Sequence, residues 1–241
     1  MELLYRFGYG LIALCAVAFA IVSLWKNRKS LINITWALTN VAIGGWALGT
    51  SLYWFETDYQ RALLLCRISL YAATFIPVFF THFCLRLTNN PLSRSPLALA
   101  GYAFSTVMAG FFLTPSFIPS VSPKLYFPYY VDAGPLFVVF TIEFFALVVY
   151  SHWLLLRHFR TQTLKRQIQI KYVALGMIVG FTCGSFNFPL AYNIPVRPWP
   201  SLFIPFYALC ITYAIVRYQL LDIKVAITRT GLLLGTYLVV L

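Results

Sequence analysis

The chain has 241 residues, of which 61% are hydrophobic and only 10% charged. That apolar share lies far above the roughly 45–50% of soluble domains and excludes an ordinary water-soluble globule. The net charge of +12 would suit a nucleic-acid ligand, but most of the cations sit in alternate loops, where they read as topology determinants and contacts to anionic lipid.

Windows of about twenty mostly apolar residues, enough to cross roughly 30 Å of hydrocarbon as helix, recur seven times. They fall near 7–25, 31–54, 62–85, 97–117, 135–156, 172–192 and 201–216. These lengths fit helices and not barrel strands, so the expected fold class is all-α, a polytopic bundle of seven transmembrane helices. Basic residues gather around 26–29, 86–94, 157–171 and 217–229, while the other loops balance Arg6, Arg61, Lys124 and Arg197 against Glu2, Glu56, Asp58 and Asp132. By the positive-inside rule the N-terminus is outside and the connection after the seventh span is cytoplasmic.

The first ten residues, MELLYRFGYG, lack the basic start and small-residue cleavage site of a secretory signal, so the first span is expected to stay attached. The short connection KNRKS makes the first two spans antiparallel neighbours. On the third span, steps of 100° put Arg67, Tyr71, Thr74, Thr81 and His82 on one stripe, expected to face the interior, and Pro77 is expected to kink the helix. The loop over 115–135, rich in proline and tyrosine, reads as an interfacial aromatic belt, with a lid over a binding site as the alternative.

Glu143 in the fifth span is about eight residues, or ~12 Å, from the outer end, at a depth comparable to Arg67. The two are expected to pair, or to share a polar pocket with Asn40 and Asn187, because an unpaired charge in hydrocarbon is costly. His82 and His152 invite comparison with a haem or metal pair, but without motif spacing buried hydrogen-bonded histidines are the plainer reading. In the sixth span Gly176, Gly180 and Gly184 repeat every four residues, a stripe along which another helix packs closely. All five cysteines lie within spans and read as packing residues, so no disulfide framework or metal site is expected.

No phosphate loop, HExxH, GxSxG or paired-carboxylate constellation occurs, which argues against an enzyme. After the seventh span, 217–230 reads as a junction: Arg217, Lys224 and Arg229 hold it at an anionic surface, and Val216, Leu220, Ile223 and Ile227 form an apolar stripe. The run from 231 to 241 is too short to span and reads as the start of a truncated apolar helix.

Three stretches carry a resemblance: NITWALTNVAIGGWALGTSLYW (33–54), RISLYAATFIPVFFTHFCL (67–85), and the segment 180–230 with its Asn-Phe-Pro turn, Pro-rich loop and YAIVRYQLLDI exit. Together they resemble the N-terminal seven-helix membrane region of bacterial sensor histidine kinases. The resemblance implies a sensor domain over 1–216 in the bacterial inner membrane, responsive to an unidentified small ligand. Its signal would leave through Arg217, Tyr218, Leu221, Asp222 and Ile223. It further implies a homodimer, a downstream cytoplasmic kinase module and a response regulator. ATP and Mg would belong to that kinase module, and no cofactor is expected for this chain. The competing expectation is a small seven-helix transporter, with a membrane-embedded haem protein as a third.

Overall fold

The computed structural model describes residues 2–92, 95–218 and 220. Helices α1 (Glu2–Lys26), α2 (Leu31–Tyr53), α3 (Tyr59–Leu87) and α4 (Pro96–Phe111) are followed by a hairpin of β1 (Val121–Lys124) and β2 (Phe127–Val131). Then come α5 (Pro135–Phe159), α6 (Leu164–Ser185), the single turn α7 (Phe188–Ala191), a 3-10 turn (Trp199–Phe203) and α8 (Phe206–Tyr218). Five segments are long and apolar enough to cross a membrane, namely Leu3–Trp25, Leu31–Tyr53, Tyr59–Leu87, Pro135–Phe159 and Leu164–Ala191, and two shorter apolar helices complete the set of seven. The all-α class and the order of seven apolar elements thus match the sequence reading. The five cysteines are free thiols.

Local signals set the boundaries. Asp58 caps α3 by accepting from the Arg61 amide (2.8 Å), and Ser95 caps α4 from the Ala98 amide with Pro96 in the first turn. The sixth element starts eight residues earlier than its hydropathy suggests, at Leu164, behind a Thr163 cap. Lys165, Arg166 and Lys171 therefore belong to helical turns and not to a loop, because long basic side chains on a helix end can carry their charges to the interface. Helix α4 ends at Phe111 and not near 117; the chain turns there so that Phe117 and Ile118 enter the core with no exposed surface.

Small residues decide which helices touch, as expected where lipid removes the hydrophobic drive between helices. A Cβ built on Gly49 would lie 2.6 Å from Ser69 Cβ, and one on Gly45 3.1 Å from Ala72 Cβ, so α2 and α3 are in close contact. Along α6, a Cβ on Gly176 would meet Cys210 Cβ at 2.9 Å, and one on Gly180 would meet Tyr207 Cβ at 3.4 Å; the stripe seats α8. By contrast α5 meets α6 sparsely. Ile142, Val149 and Leu156, seven residues apart on α5, are at least 65% exposed, as lipid-facing positions are.

The polar stripe of α3 does not point at the centre of the bundle. Cys66, Ala73, Pro77, Phe80 and Cys84 form the buried arc, turned about 100° from the stripe, because small residues allow the close approach of α2. Thr74 and Thr81 are buried at its margin, whereas Tyr71 is 38% exposed and packs on Phe75 and Phe112. Helix α3 runs unbroken through Pro77, whose carbonyl accepts from Thr81.

Candidate functional site

The expected interfacial loop is a folded roof. Strand β2 buries Phe127, Tyr130 and Val131, so alternate and adjacent apolar groups face inward over the ends of the helices. The chain can bury this irregular segment because Lys124 satisfies it internally. Its ammonium, 8% exposed, donates to Asp132 (2.9 Å) and to the carbonyls of Val131 (2.9 Å), Leu190 (3.1 Å) and Ala191 (3.2 Å). The carboxylate also accepts from Ser120 (2.8 Å) and Ser122 (2.7 Å). Burial acts to raise the pKa of Asp132, but these donors outweigh it and hold the group below the usual carboxylate range.

The latch ties the hairpin to α7, and aromatic groups tie it to the first two helices. Tyr126 donates to the Tyr5 hydroxyl (2.6 Å), and Tyr130 donates to the Asn187 carbonyl (2.9 Å). The Trp54 ring stacks on Tyr130 (5.4 Å between centroids) and lies 4.3 Å from Phe127 and 4.7 Å from Tyr9. Burial pushes the Tyr130 phenol well above its ordinary range, so it stays an O–H donor.

Beneath this roof lies a cavity of about 90 Å³ bounded by α2, α3, α5, α6, α7, α8 and the hairpin. Its wall is aromatic and aliphatic, with Trp54, Phe140, Phe144, Phe181 and Tyr207 as the large groups. The polar groups in and behind the wall are largely spent on one another. Asn187 Oδ1 accepts from Tyr9 (2.9 Å) while its amide donates to Gly184, Thr50 pairs with Ser69 (2.9 Å), and Tyr207 donates to Asn40 (3.2 Å). The Trp54 indole N–H is buried beside the Tyr53 hydroxyl, on a side chain only 1% exposed. The cavity therefore suits an uncharged, mainly apolar occupant.

Asn40 and Asn187 thus lie in or just behind one wall, but Arg67 and Glu143 do not join them. Arg67 donates through Nε and Nη2 to the Ile118 carbonyl (3.3 and 2.9 Å), pinning the connection between α4 and the hairpin. Both Glu143 oxygens are buried without a hydrogen-bond partner, and Glu143 sits one turn from Leu147, the residue that packs over Gly101 of α4. The expected Arg67–Glu143 pair is therefore not formed: the arginine is spent on a backbone carbonyl, and the Lys124–Asp132 bridge is the ion pair present among the described residues.

The two histidines are likewise engaged separately. His82 meets the Tyr102 hydroxyl through Nδ1 (2.8 Å) and receives Arg86 Nε at Nε2 (3.2 Å), joining α3 to α4. His152 Nδ1 donates to the Val148 carbonyl one turn back (2.8 Å), leaving a buried Nε2 without a partner. At the other end of α8, Arg217 is exposed and Tyr218 stacks on Tyr172 (5.6 Å); Leu221, Asp222 and Ile223 lie outside the described residues.

Sequence reasoning treated Lys124 and Asp132 as loop charges and Tyr126 as part of an interfacial belt, and left Tyr5, Tyr9, Trp54 and Phe181 unmarked. The available signal was the run KLYFPYYVD, in which a lysine and an aspartate bracket a short aromatic strand.

A bundle of long apolar helices around a roofed apolar cavity is the form of a multi-pass membrane protein. A family model described as the N-terminal 7TM region of histidine kinase matches residues 9–224, nine-tenths of the length, and the chain belongs to that family. No curated protein and no solved structure matches it.

Proposed function

We propose that the chain is the signal-input domain of a bacterial sensor histidine kinase, set in the inner membrane with its N-terminus and hairpin outside. A small ligand in the roofed cavity biases the packing of α6 and α8, and α8 carries that bias through Arg217 and the junction to a kinase module. The carrying observation is that Tyr207 and Ile204, at the start of the exit segment, belong to the cavity wall. An occupant that binds two packings unequally shifts their populations by its difference in affinity, which is all that signalling requires. In this reading Asn40 and Asn187 hold the wall, and Glu143 is a group whose partner is acquired only in the second packing. For dimerisation and transfer to a response regulator, family membership is the sole support.

The test joins the chain in frame to a kinase module carrying a phosphoacceptor histidine and reads autophosphorylation in nanodiscs. Ala73→Leu, which inserts three carbons into the cavity, is expected to lock the output at one level. Output identical to the parent in rate and extent overturns the reading. Sequencing the gene past the Leu241 codon tests whether a kinase module follows.

A further inference from the structure

The cavity is covered toward the hairpin end, which raises the question of how anything reaches it. The Lys124 latch, the Tyr5–Tyr126 bond and the stacked Trp54 ring lie across that end. On the flank, however, α5 and α6 diverge to leave a groove of about 350 Å³. Its lining includes His152 and Trp153 of α5 and Ile178 and Thr182 of α6. Both helices are membrane-spanning segments, so this groove opens into hydrocarbon.

One side chain borders both spaces. Phe181 lines the groove on one side and the cavity on the other. Its ring is held by edge and tilted contacts to Phe80 (5.2 Å), Phe144 (5.8 Å) and His152 (6.1 Å), with no hydrogen bond fixing it. A phenyl ring in such a position can rotate aside without breaking a polar interaction. The side chains lining the groove and the cavity are mainly apolar.

We propose that the ligand arrives sideways from the bilayer, through the α5–α6 groove and past Phe181. Its class is a small, uncharged molecule dissolved in the membrane, with an apolar body of single-ring size. The size follows from the volume: an engineered cavity of about 150 Å³ takes benzene, so ~90 Å³ admits one small ring with slight side-chain movement. This rests on the cavity being the input site.

The test uses the full chain in phosphatidylcholine–phosphatidylglycerol nanodiscs, with bromobenzene as probe and tryptophan fluorescence as readout. The signal is the saturable quenching that is lost in Trp54→Phe. Phe181→Ala, with Phe181→Leu as the milder variant should the first misfold, is expected to speed its onset by about tenfold or more, while Lys124→Met leaves the rate within about twofold. Acceleration by Lys124→Met and none by either Phe181 variant overturns the lateral route in favour of the roof. Absence of any saturable quenching overturns the ligand class, while the response of autophosphorylation to Ala73→Leu still decides separately whether the cavity is an input site.

Discussion

Lys124→Met removes the ammonium that joins the hairpin to α7 and leaves Asp132 without its counter-ion. Breaking a buried ion pair from one side costs about 3–5 kcal/mol when the remaining charge has no other support. Here Asp132 keeps Ser120 and Ser122 and is 20% exposed, and the Ala191 carbonyl keeps the Ala133 amide (3.3 Å). The expected loss is therefore nearer 2–4 kcal/mol of local stability. At 1.4 kcal/mol per factor of ten, amide exchange across 117–134 should accelerate by roughly 30- to 700-fold, with α2 and α3 little changed. Hydrogen exchange read by mass spectrometry in nanodiscs measures this directly. The double variant Lys124→Met/Asp132→Asn should recover part of the loss, because no orphaned charge remains. Exchange within about threefold of the parent would refute the latch.

The same latch should respond to acid. The folded-state value for Asp132 lies below the unfolded 3.8, so its contribution is fully present above that value and is lost as pH falls through the depressed one; hairpin protection, taken relative to the intrinsic exchange rate at each pH, should be flat from neutral pH down to about 4 and fall below it. Gly176→Val should cost about 1–3 kcal/mol in thermal unfolding because Cys210 Cβ and the Tyr207 carbonyl stand in the way, whereas Gly10→Ala, with nothing within 4 Å, should be neutral or slightly stabilising. Arg67→Ala and Glu143→Gln should combine additively within about 0.5 kcal/mol, since the two groups do not meet; a larger coupling would restore the pair expected from their depths.

How far the sequence could be read differs by level. Seven apolar stretches survive as seven helical elements because span length and hydropathy are local properties, and the glycine repeat of α6 foretold a close contact because its cause is steric and one-dimensional. The facing of α3 was misjudged because polarity was assumed to choose the inner face. In lipid the small arc of Cys66 and Ala73 chose it, and Tyr71 was left outward. Glu143 and Arg67 matched in depth but not in azimuth, which no depth count supplies. The roof was the least legible part, since two of the four partners of Lys124 are backbone carbonyls some 66 residues away, and carbonyls carry no sequence signature.

The parts of the site are joined in one order that bears on signalling. The hairpin is latched to the α7 carbonyls, α7 continues α6 across the turn at Asn187, and the α6 glycines seat α8. Against α5, helix α6 itself is packed only sparsely, around Phe181, whereas α7 is held to α5 by Phe188 and by the Tyr192 hydroxyl on Thr141 (2.6 Å). A rigid pair hinged on a loose seam is the arrangement in which a small occupant produces the largest displacement, because packed interfaces switch between discrete arrangements and loose ones yield first. The same seam is where the groove opens, so a ligand passing Phe181 would act on the contact that holds α6 and α8 in place. Filling the seam should therefore mimic absence of motion: Val148→Phe, placed in the groove, is expected to block bromobenzene and to freeze kinase output together. If output still responds while the probe is excluded, the seam is not the moving part and the hinge must lie between α8 and the first two helices.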